Sequence, residues 1–506
     1  MKFKSFVLSF ILVNAFQAEV IAQRLEFRIP QWSDTTIYLA RYYGPKLYYA
    51  DTARLENGVV VFDGSKHPEG LYGVVLPDTK YFELINSGED VIMTLTDTSS
   101  HVYSVTVQQS ENNKIFYQYV AAIKKRDQTV KPLTEKYNAA EGDIKKQEAI
   151  SKKIQTENKK LNAVRAELIS AHSSLFAAQL LRLTMDVELP EPPRDKNGVV
   201  TDSNYVYNYY IRHYWDGIDL KNPALIYTPV YHNRLDNYFS EKGLIQTPDT
   251  IIKYAAILLD EMIQADPKNE VFKYSLNHII TKYQGMQIMG MDEVFWYLGK
   301  NYFCAPNNKA YWMPEENLKR LCERVQKTEN VLLGRQAIPL ILTDTTETKW
   351  INFYDIQAEY TVLYFWEPDC GHCKVHTPEL QTLYEKKFKA RNIEVYAVAK
   401  ATGDDFELWK KFIREKNLTF TNVGLTKNIY DQAMKDPRPL LQYTTLESLN
   451  YGSTYDVYST PKIFILDKDK KILFKQIGIA QLEALLDMLT GHADDEKLFP
   501  LSKMVD

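Results

Sequence analysis

Two cysteines separated by two residues, Cys370 and Cys373, are the strongest chemical signal in this sequence. A Cys-x-x-Cys pair can cycle between a dithiol and a disulfide, because a thiolate attacks a disulfide sulfur and forms a mixed disulfide. The thiolate is the reactive species, so this chemistry depends on what lowers the pKa of the leading thiol. The spacing predicts thiol-disulfide exchange, with Cys370 as the attacking thiol and Cys373 as the resolving thiol.

The residues around this pair predict a buried strand followed by a helix. The segment from Tyr360 to Trp366 is an apolar and aromatic run, which is typical of a strand covered on both faces. Downstream, apolar residues recur at helical spacing, so an amphipathic helix is predicted to begin at about Cys370. The positive end of a helix dipole stabilises a thiolate in the first turn. Cys370 is therefore predicted to be the more acidic and more exposed of the two, with Cys373 one turn further in.

The dipeptide between the cysteines, Gly371-His372, is a second tuning element. His372 can place positive charge beside the sulfur of Cys370, which favours the reduced form and makes the pair more oxidising. The same dipeptide is found in protein disulfide isomerase. We therefore expect a potential between about −270 mV, as in thioredoxin, and about −180 mV, as in the isomerase.

The composition limits the classes of function that need to be considered. The chain has 506 residues, enough for about three domains. Its net charge is −4, so no basic excess indicates binding to nucleic acid. It has only 4 cysteines, so its stability does not depend on a disulfide framework. No cofactor is predicted.

The first 22 residues predict a cleaved secretory signal peptide. A basic start is followed by an apolar run from Phe6 to Phe16, and Val20-Ile21-Ala22 offers small residues at a cleavage site. The apolar run is too short to span a bilayer. No later segment approaches a spanning length, so we expect a soluble periplasmic protein without a transmembrane segment in the mature chain.

The region from 23 to 110 is predicted to be a small antiparallel β-sandwich. Short apolar runs with a two-residue period lie between turn signals such as Asn57-Gly58 and Pro77-Asp78. These runs contain no cluster of catalytic residues. A binding or spacer module is therefore expected here.

The region from 111 to 330 is predicted to be an all-α domain. Residues 124–169 are rich in Lys, Glu, Gln and Ala with regular apolar positions, which indicates one or two long solvated helices. Further helices are predicted at 250–264, 271–283 and 292–303. Cys304 and Cys322 lie near the end of this region. Cys322 falls on an apolar helical stripe and is interpreted as a buried residue, whereas a structural disulfide with Cys304 is the alternative that the sequence leaves open.

The region from 331 to 495 alternates predicted strands and helices, and 496–506 is a tail. The active-site sequence Tyr364-Phe-Trp-x-Pro-x-Cys-Gly-His-Cys-Lys374 resembles that of TlpA-like thioredoxin-fold thiol-disulfide oxidoreductases. The resemblance covers about 334 to 489. It implies an α/β thioredoxin-like fold, protein thiols or disulfides as substrates, a membrane or soluble redox partner, and a role in redox homeostasis and antioxidant activity.

The resemblance also assigns residues that contact the substrate. Thr460-Pro461 matches the cis-proline position of the family, where the backbone lies beside the sulfurs and pairs with the substrate main chain. Trp366, just before the active-site loop, is included among the substrate-binding residues. Pro378 matches the proline inside the active-site helix of the fold.

Two departures from related sequences affect the proton acceptor for Cys373. Thioredoxin has a buried Asp six residues before its first cysteine, where this chain has Tyr364. TlpA-like reductases often have a Glu three residues after the second cysteine, where this chain has His376. Glu367 and His376 are therefore the candidates for proton transfer, with the alternative that both are surface residues.

Other interpretations of the cysteines are less favoured. Cys370, His372, Cys373 and His376 could bind zinc, but a proline beside the sulfurs disfavours metal access, so no metal site is predicted. Haem attachment requires Cys-x-x-Cys-His, and Lys374 follows the pair instead. A purely structural Cys370-Cys373 bridge remains a further alternative.

A second hypothesis assigns the main function to the first two domains. In that case the chain binds a ligand or partner, and the thioredoxin-like domain is auxiliary or a redox sensor. The sequence leaves the natural substrate, the direction of electron flow and the oligomeric state open.

Overall fold

The structure is a computed structural model that describes residues 22–32, 34–97, 104–286, 288–304, 306, 308–403 and 405–500. Nearly all of the predicted signal peptide lies outside these residues. The described chain forms two compact units, one made of residues up to Ile245 with Leu258–Ser275, the other of Gln246–Ile257 with residues from Leu276 onward. Across the described ranges, none of the helices combines the length and apolar character that crossing a bilayer requires.

The described part of the first unit begins with eight strands. They are β1 (Arg24–Arg28), β2 (Thr35–Tyr43), β3 (Lys46–Leu55), β4 (Val59–Asp63), β5 (Gly70–Val75), β6 (Tyr81–Asn86), β7 (Val91–Leu95) and β8 (Val105–Gln109). They form two sheets, with the orders β4-β1-β7-β8 and β3-β2-β5-β6. Alternate residues of both sheets, such as Phe27 and Tyr72, are buried in one hydrophobic core. The β1–β7 pair is parallel, so the prediction of a wholly antiparallel arrangement is wrong at that pair.

The remainder of the first unit is largely helical, as predicted. Its helices are α1 (Glu111–Ala139), α2 (Ile144–Ala171), α3 (Phe176–Leu183), α4 (Tyr205–His213) and α5 (Pro229–Tyr238). Helices α1 and α2 bury few side chains, which fits their charged sequence. Asn113 is the main exception. Its buried amide exchanges hydrogen bonds of 2.7 and 2.8 Å with the backbone of Ile85, which attaches the start of α1 to β6.

Two further helices, α6 (Pro248–Ala265) and α7 (Glu270–Gln284), belong partly to each unit. In the second unit, α8 (Asp292–Leu298) continues into a π-helical turn at Gly299–Phe303 and is followed by α9 (Glu315–Asn330). Cys304 and Cys322 form a disulfide with Cα atoms 5.6 Å apart. The interpretation of Cys322 as a buried apolar residue is therefore wrong, because its side chain is only part-buried and its sulfur is bonded.

The described C-terminal part of the second unit contains a seven-stranded sheet. Its strands are β9 (Ile341–Thr343), β10 (Trp350–Asn352), β11 (Tyr360–Trp366), β12 (Ile393–Ala401), β13 (Thr421–Thr426), β14 (Lys462–Asp467) and β15 (Ile472–Lys475). Their order is β10-β9-β13-β12-β11-β14-β15. Strand β11 pairs in parallel with β12 and antiparallel with β14, and nearly all of it is buried. The prediction of a strand covered on both faces is therefore confirmed.

Helices cover the sheet and separate its strands. They are α10 (Gly371–Leu383), α11 (Asp405–Lys416), α12 (Lys427–Lys435), α13 (Leu446–Leu449), α14 (Tyr451–Thr454) and α15 (Ile479–Leu489). The core on one face of the sheet includes Cys373, Trp366 and Trp409. Helices α12 to α14 form an insertion between β13 and β14 that was not predicted from the sequence.

Candidate redox-active site

Cys370 is the residue that caps the start of helix α10. Its sulfur accepts a hydrogen bond of 3.3 Å from the backbone N–H of Cys373. The first N–H groups of a helix lack partners within the helix and carry the positive end of its dipole. The predicted placement of both cysteines at the beginning of the helix is confirmed.

The environment of Cys370 favours its thiolate. Burial by itself raises the pKa of this thiol, but hydrogen bonds from the thiol and the backbone N–H of Cys373 outweigh that effect. The side chain of Thr460 also lowers the pKa. The result is a pKa below that of an ordinary cysteine, on a sulfur that remains partly exposed.

Cys373 lies in the opposite environment. Its side chain is fully buried in the core beneath the helix. Burial, followed by the hydrogen bond to Cys370, raises the pKa of Cys373 to about 12. The predicted difference in exposure between the two thiols is confirmed, while their roles as attacking and resolving groups stay predictions.

The loop before strand β14 approaches the sulfur of Cys370. The peptide bond between Thr460 and Pro461 is cis, as the resemblance implied. The thiol of Cys370 donates a hydrogen bond of 3.3 Å to the carbonyl oxygen of Thr460. This geometry places the backbone of the loop next to the more accessible sulfur.

Trp366 is not available to a substrate. Only 1 % of its side chain is exposed, and its ring packs against Phe412 with centroids 5.2 Å apart. The prediction that Trp366 contacts substrate is therefore wrong. As the last residue of a strand covered on both faces, it supports the core behind the active-site loop instead.

His372 lies at the surface, with its ring parallel to that of His376 at a centroid distance of 6.4 Å. The backbone N–H of His372 contributes to the lowered pKa of Cys370. Tuning of the pair by the charge of the His372 side chain stays a prediction.

The two candidates for proton transfer are engaged with other residues. The carboxylate of Glu367 accepts a hydrogen bond of 3.3 Å from Lys400. The Nδ1 atom of His376 lies 2.8 Å from a carboxylate oxygen of Glu379. The structure does not bring either side chain into a hydrogen bond with Cys373 among the described residues, so both roles stay predictions.

A pair of hydroxyl groups in the core was missed by the sequence analysis. The hydroxyls of Tyr364 and Thr377 lie 2.8 Å apart, and both side chains are fully buried. Tyr364 also interacts electrostatically with both thiols. Helical spacing gave a signal for this pair, because Thr377 follows Cys373 by four residues and so lies on the same face of α10.

The structure also bears on metal binding by the residues that it describes. Within those ranges, no group of three or more His, Cys, Asp and Glu side chains is placed to hold a metal ion.

Comparisons with known proteins point to one family. Residues 333–475 match the model of the AhpC/TSA family. Thiol-disulfide oxidoreductase ResA from a strain of Bacillus cereus is 28% identical over 166 residues, which are 32% of this chain and 81% of that protein. ResA from a strain of Bacillus thuringiensis is 27% identical over 165 residues, 32% of this chain and 81% of the relative.

Two solved structures are similar to parts of the chain. A domain of a possible thiol-disulfide isomerase from Cytophaga hutchinsonii is 37% identical and covers 33% of this chain and 97% of its own, with a TM-score of 0.26. A thioredoxin-like protein from Bacteroides caccae is 18% identical and covers 60% of this chain and 99% of its own, with a TM-score of 0.41.

Proposed function

Because residues 333–475 form a thioredoxin-fold domain of the AhpC/TSA family, related to thiol-disulfide oxidoreductases, we propose that this chain exchanges thiols and disulfides with protein substrates. One observation carries the proposal. The partly exposed thiol at the start of α10 has a lowered pKa, while the thiol three residues later is buried with a raised pKa. This asymmetry suits one group for attack and the other for resolution.

In the reductive direction, the Cys370 thiolate attacks one sulfur of a substrate disulfide. A Cys370–substrate disulfide forms and the second substrate sulfur leaves as a thiolate. Cys373 then loses its proton and attacks the sulfur of Cys370. The Cys370-Cys373 disulfide forms, the substrate dithiol is released, and two electrons have passed to the substrate. The reverse sequence oxidises a substrate dithiol.

The substrate is held by the loop beside the sulfur. The carbonyl of Thr460 lies at hydrogen-bond distance from the thiol of Cys370, so a substrate strand paired with Thr460-Pro461 would present its disulfide there. The substrates are protein thiols or disulfides, and a membrane or soluble redox partner restores the pair after each turnover.

We infer that the protein is exported to the periplasm. The basic and apolar sequence before residue 23 supports a cleaved signal peptide. We also propose that the two sheets with a common core form a β-sandwich over 23–110, followed by a helical domain over 111–330 and the thioredoxin-like domain over 331–495. The β and helical parts act as binding or spacer modules.

The proposal is tested with the full chain and the variant Cys370→Ser. We expect the wild-type chain to reduce insulin disulfides with dithiothreitol as electron donor, and Cys370→Ser to lose that activity completely. The double variant Cys304→Ser/Cys322→Ser is the matched control, since it removes two cysteines outside the site. It should keep the activity.

Trapping gives an independent result. Cys373→Ser should accumulate a covalent conjugate with a protein substrate that contains a disulfide, because Cys370 displaces one substrate sulfur as a thiolate and the resolving thiol is missing. The enzymatic role would be refuted if Cys370→Ser reduced insulin as fast as wild type. It would also be refuted if Cys373→Ser formed no conjugate. Those results would favour a binding function of the β and helical modules.

A further inference from the structure

The core position beneath Cys373 holds two hydroxyl groups. Tyr364 reaches it from strand β11, and Thr377 reaches it from helix α10, four residues after Cys373 and on the same face. Their oxygens are 2.8 Å apart, and both side chains are 0% exposed. Each hydroxyl is thus bonded to the other in a site that excludes water.

Both hydroxyl groups keep their protons and are uncharged throughout the neutral pH range. Burial, and then the charges that develop on Cys373 and Cys370, raise the pKa of Tyr364 well above its ordinary value. A phenol with a raised pKa carries its proton throughout the neutral range. It cannot take up the proton that Cys373 must lose before it attacks.

In the part of the chain that the structure describes, the titratable side chains near Cys373 are paired with, or stacked on, one another. From the loop after β11, the carboxylate of Glu367 faces Lys400. From α10, His376 is bonded to Glu379, the carboxylate whose charge reaches Tyr364. His372 is exposed and stacks on His376.

In the loop before β14, Thr460 and Pro461 add no acid or base to this set, and the carboxylate of Asp456 is paired with Lys462. Thr460 offers a hydroxyl and a carbonyl, and the latter accepts from the thiol of Cys370. The groups with the largest influence on Cys373 are, apart from its own burial, the sulfur of Cys370, the backbone of Glu367 and the side chain of Thr460. None of these three is a carboxylate or an imidazole.

We propose that Cys373 works without an internal general base, so that a mixed disulfide on Cys370 resolves slowly at neutral pH and exchanges with further substrate thiols first. This inference rests on the proposed function and narrows it. The preferred reaction is rearrangement of disulfides within a protein that has several cysteines, rather than net reduction.

The rearrangement needs no external oxidant or reductant. The Cys370 thiolate opens a substrate disulfide, and a second thiolate of the same substrate then attacks the substrate sulfur bound to Cys370. A new substrate disulfide forms and the Cys370 thiolate leaves. One disulfide is broken and one is made, so the number of electrons on the substrate is unchanged.

The rate of resolution depends on the fraction of molecules in which Cys373 is a thiolate. Burial raises the pKa of Cys373 above its ordinary value, so only a small fraction of molecules carries the thiolate at pH 7. That fraction rises about tenfold for each pH unit, and so should the rate of resolution. A general base of ordinary pKa would instead produce a plateau once the base is deprotonated.

The test separates the two steps in the reduced full chain. Rapid mixing with less than one equivalent of the aromatic disulfide DTNB releases one coloured thiolate when Cys370 attacks and a second when Cys373 resolves. The second release should accelerate about tenfold per pH unit between about pH 6 and about pH 9 without a plateau. A plateau at or below about pH 8 would overturn the proposal.

Substitutions at Tyr364 provide a matched pair. Tyr364→Asp places a carboxylate under Cys373, and the second release should become at least about tenfold faster at pH 7. Tyr364→Phe removes only the hydroxyl and should keep the pH slope and a rate within about threefold of wild type. A tenfold slower Tyr364→Phe would show that the hydroxyl itself transfers the proton, which contradicts the proposal.

A third measurement tests the preference for rearrangement. The ratio between reactivation of a ribonuclease with scrambled disulfides and net reduction of insulin should fall at least about tenfold in Tyr364→Asp, because faster resolution releases the substrate before it rearranges. An unchanged ratio would refute that preference. If Tyr364→Asp does not fold, the wild-type pH profile and Tyr364→Phe still decide the question. Absence of the first release would refute the proposed function instead.

Discussion

The thiol of Cys370 donates a hydrogen bond of 3.3 Å to the carbonyl oxygen of Thr460, a residue 90 positions further along the chain. The same sulfur accepts a bond from the backbone N–H of Cys373. The sulfur of Cys370 is thus held between the start of a helix and the loop proposed to hold the substrate. A substrate that pairs with this loop, as proposed, would meet the thiol whose pKa is lowered.

The thiol of Cys373 contributes to the lowered pKa of Cys370. Removing this thiol should therefore raise the pKa of Cys370 measurably. In wild-type protein, the rate of Cys370 alkylation should reach half its maximum below about pH 8.5, the ordinary value for cysteine. In Cys373→Ala, the midpoint should move upward, because the thiol's hydrogen bond is lost while the backbone N–H remains. Mass spectrometry after iodoacetamide pulses across a pH series measures both midpoints.

Thr377→Val is the control for this experiment, since it changes the neighbouring core without removing a hydrogen bond to Cys370. Its midpoint should match that of wild type. Equal midpoints in wild type and Cys373→Ala would show that the helix start and Thr460 alone set the acidity of the thiol.

Local patterns in the sequence were sufficient to predict the elements that form the site. The apolar run from Tyr360 to Trp366 gave β11, and the helical period after Cys370 gave α10, because both signals arise from burial of neighbouring residues. The resemblance to thioredoxin-fold oxidoreductases is confirmed for the same region by the family match and the ResA relatives.

Properties that depend on distant pairs could not be predicted in this way. Trp366 is an aromatic residue at the end of a strand, so the sequence favoured it as a substrate contact. Its ring is covered by Phe412 on α11, a residue distant in the sequence. Val375 is an apolar residue of α10 but is exposed to solvent, which the spacing of apolar residues along the helix does not reveal. The pairing of Cys304 with Cys322 needs a spatial separation that spacing along the chain does not determine.

The Cys304–Cys322 disulfide should stabilise the second unit without affecting the redox site. It closes a loop with a sequence separation of 18 residues. A crosslink of that length restricts the unfolded chain by about 3 kcal/mol. The double variant Cys304→Ser/Cys322→Ser should therefore unfold at lower urea concentration, with the alkylation profile of Cys370 unchanged.

Unfolding of the double variant is followed by tryptophan fluorescence, with Cys370→Ser as the control that alters the other pair of cysteines. The control should unfold close to wild type. A double variant as stable as wild type would mean that strain in the folded chain offsets the restriction of the unfolded one.

A buried cluster of charges holds the segment around Leu498 and Phe499 against helix α15. Lys387 lies 3.1 Å from Asp487 and is also paired with Glu483, whose carboxylate accepts 2.8 Å bonds from the backbone of Leu498 and Phe499. The side chains of Glu483 and Asp487 are 0% exposed. Glu483→Gln leaves Lys387 paired with Asp487 alone and weakens the bonds from the backbone of Leu498 and Phe499. The variant should therefore unfold at a lower urea concentration than wild type.

The same variant should release the C-terminal segment, so that proteolysis between residues 492 and 500 accelerates under native conditions. Glu385→Gln is the control, since its pair with Lys389 is exposed and contributes at most about 1 kcal/mol. Similar stability of the two variants would show that the buried pair is replaceable by neutral hydrogen bonds.

Residues 492–500 should be released only when the carboxylate of Asp487 becomes protonated, which requires a low pH. Burial by itself raises the pKa of Asp487, but hydrogen bonds from Lys497, Arg391 and Lys387 outweigh it and lower the pKa below its ordinary value. A carboxyl whose pKa is lower in the folded state stabilises the fold above its unfolded pKa of about 3.9, and loses that contribution as pH falls through the folded value. Proteolysis of residues 492–500 should therefore stay constant down to about pH 4 and increase below it. Asp487→Asn should show rapid cleavage already at pH 7, and release of the wild-type segment between about pH 5 and pH 6 would contradict this assignment, since a group with a raised pKa would then control it.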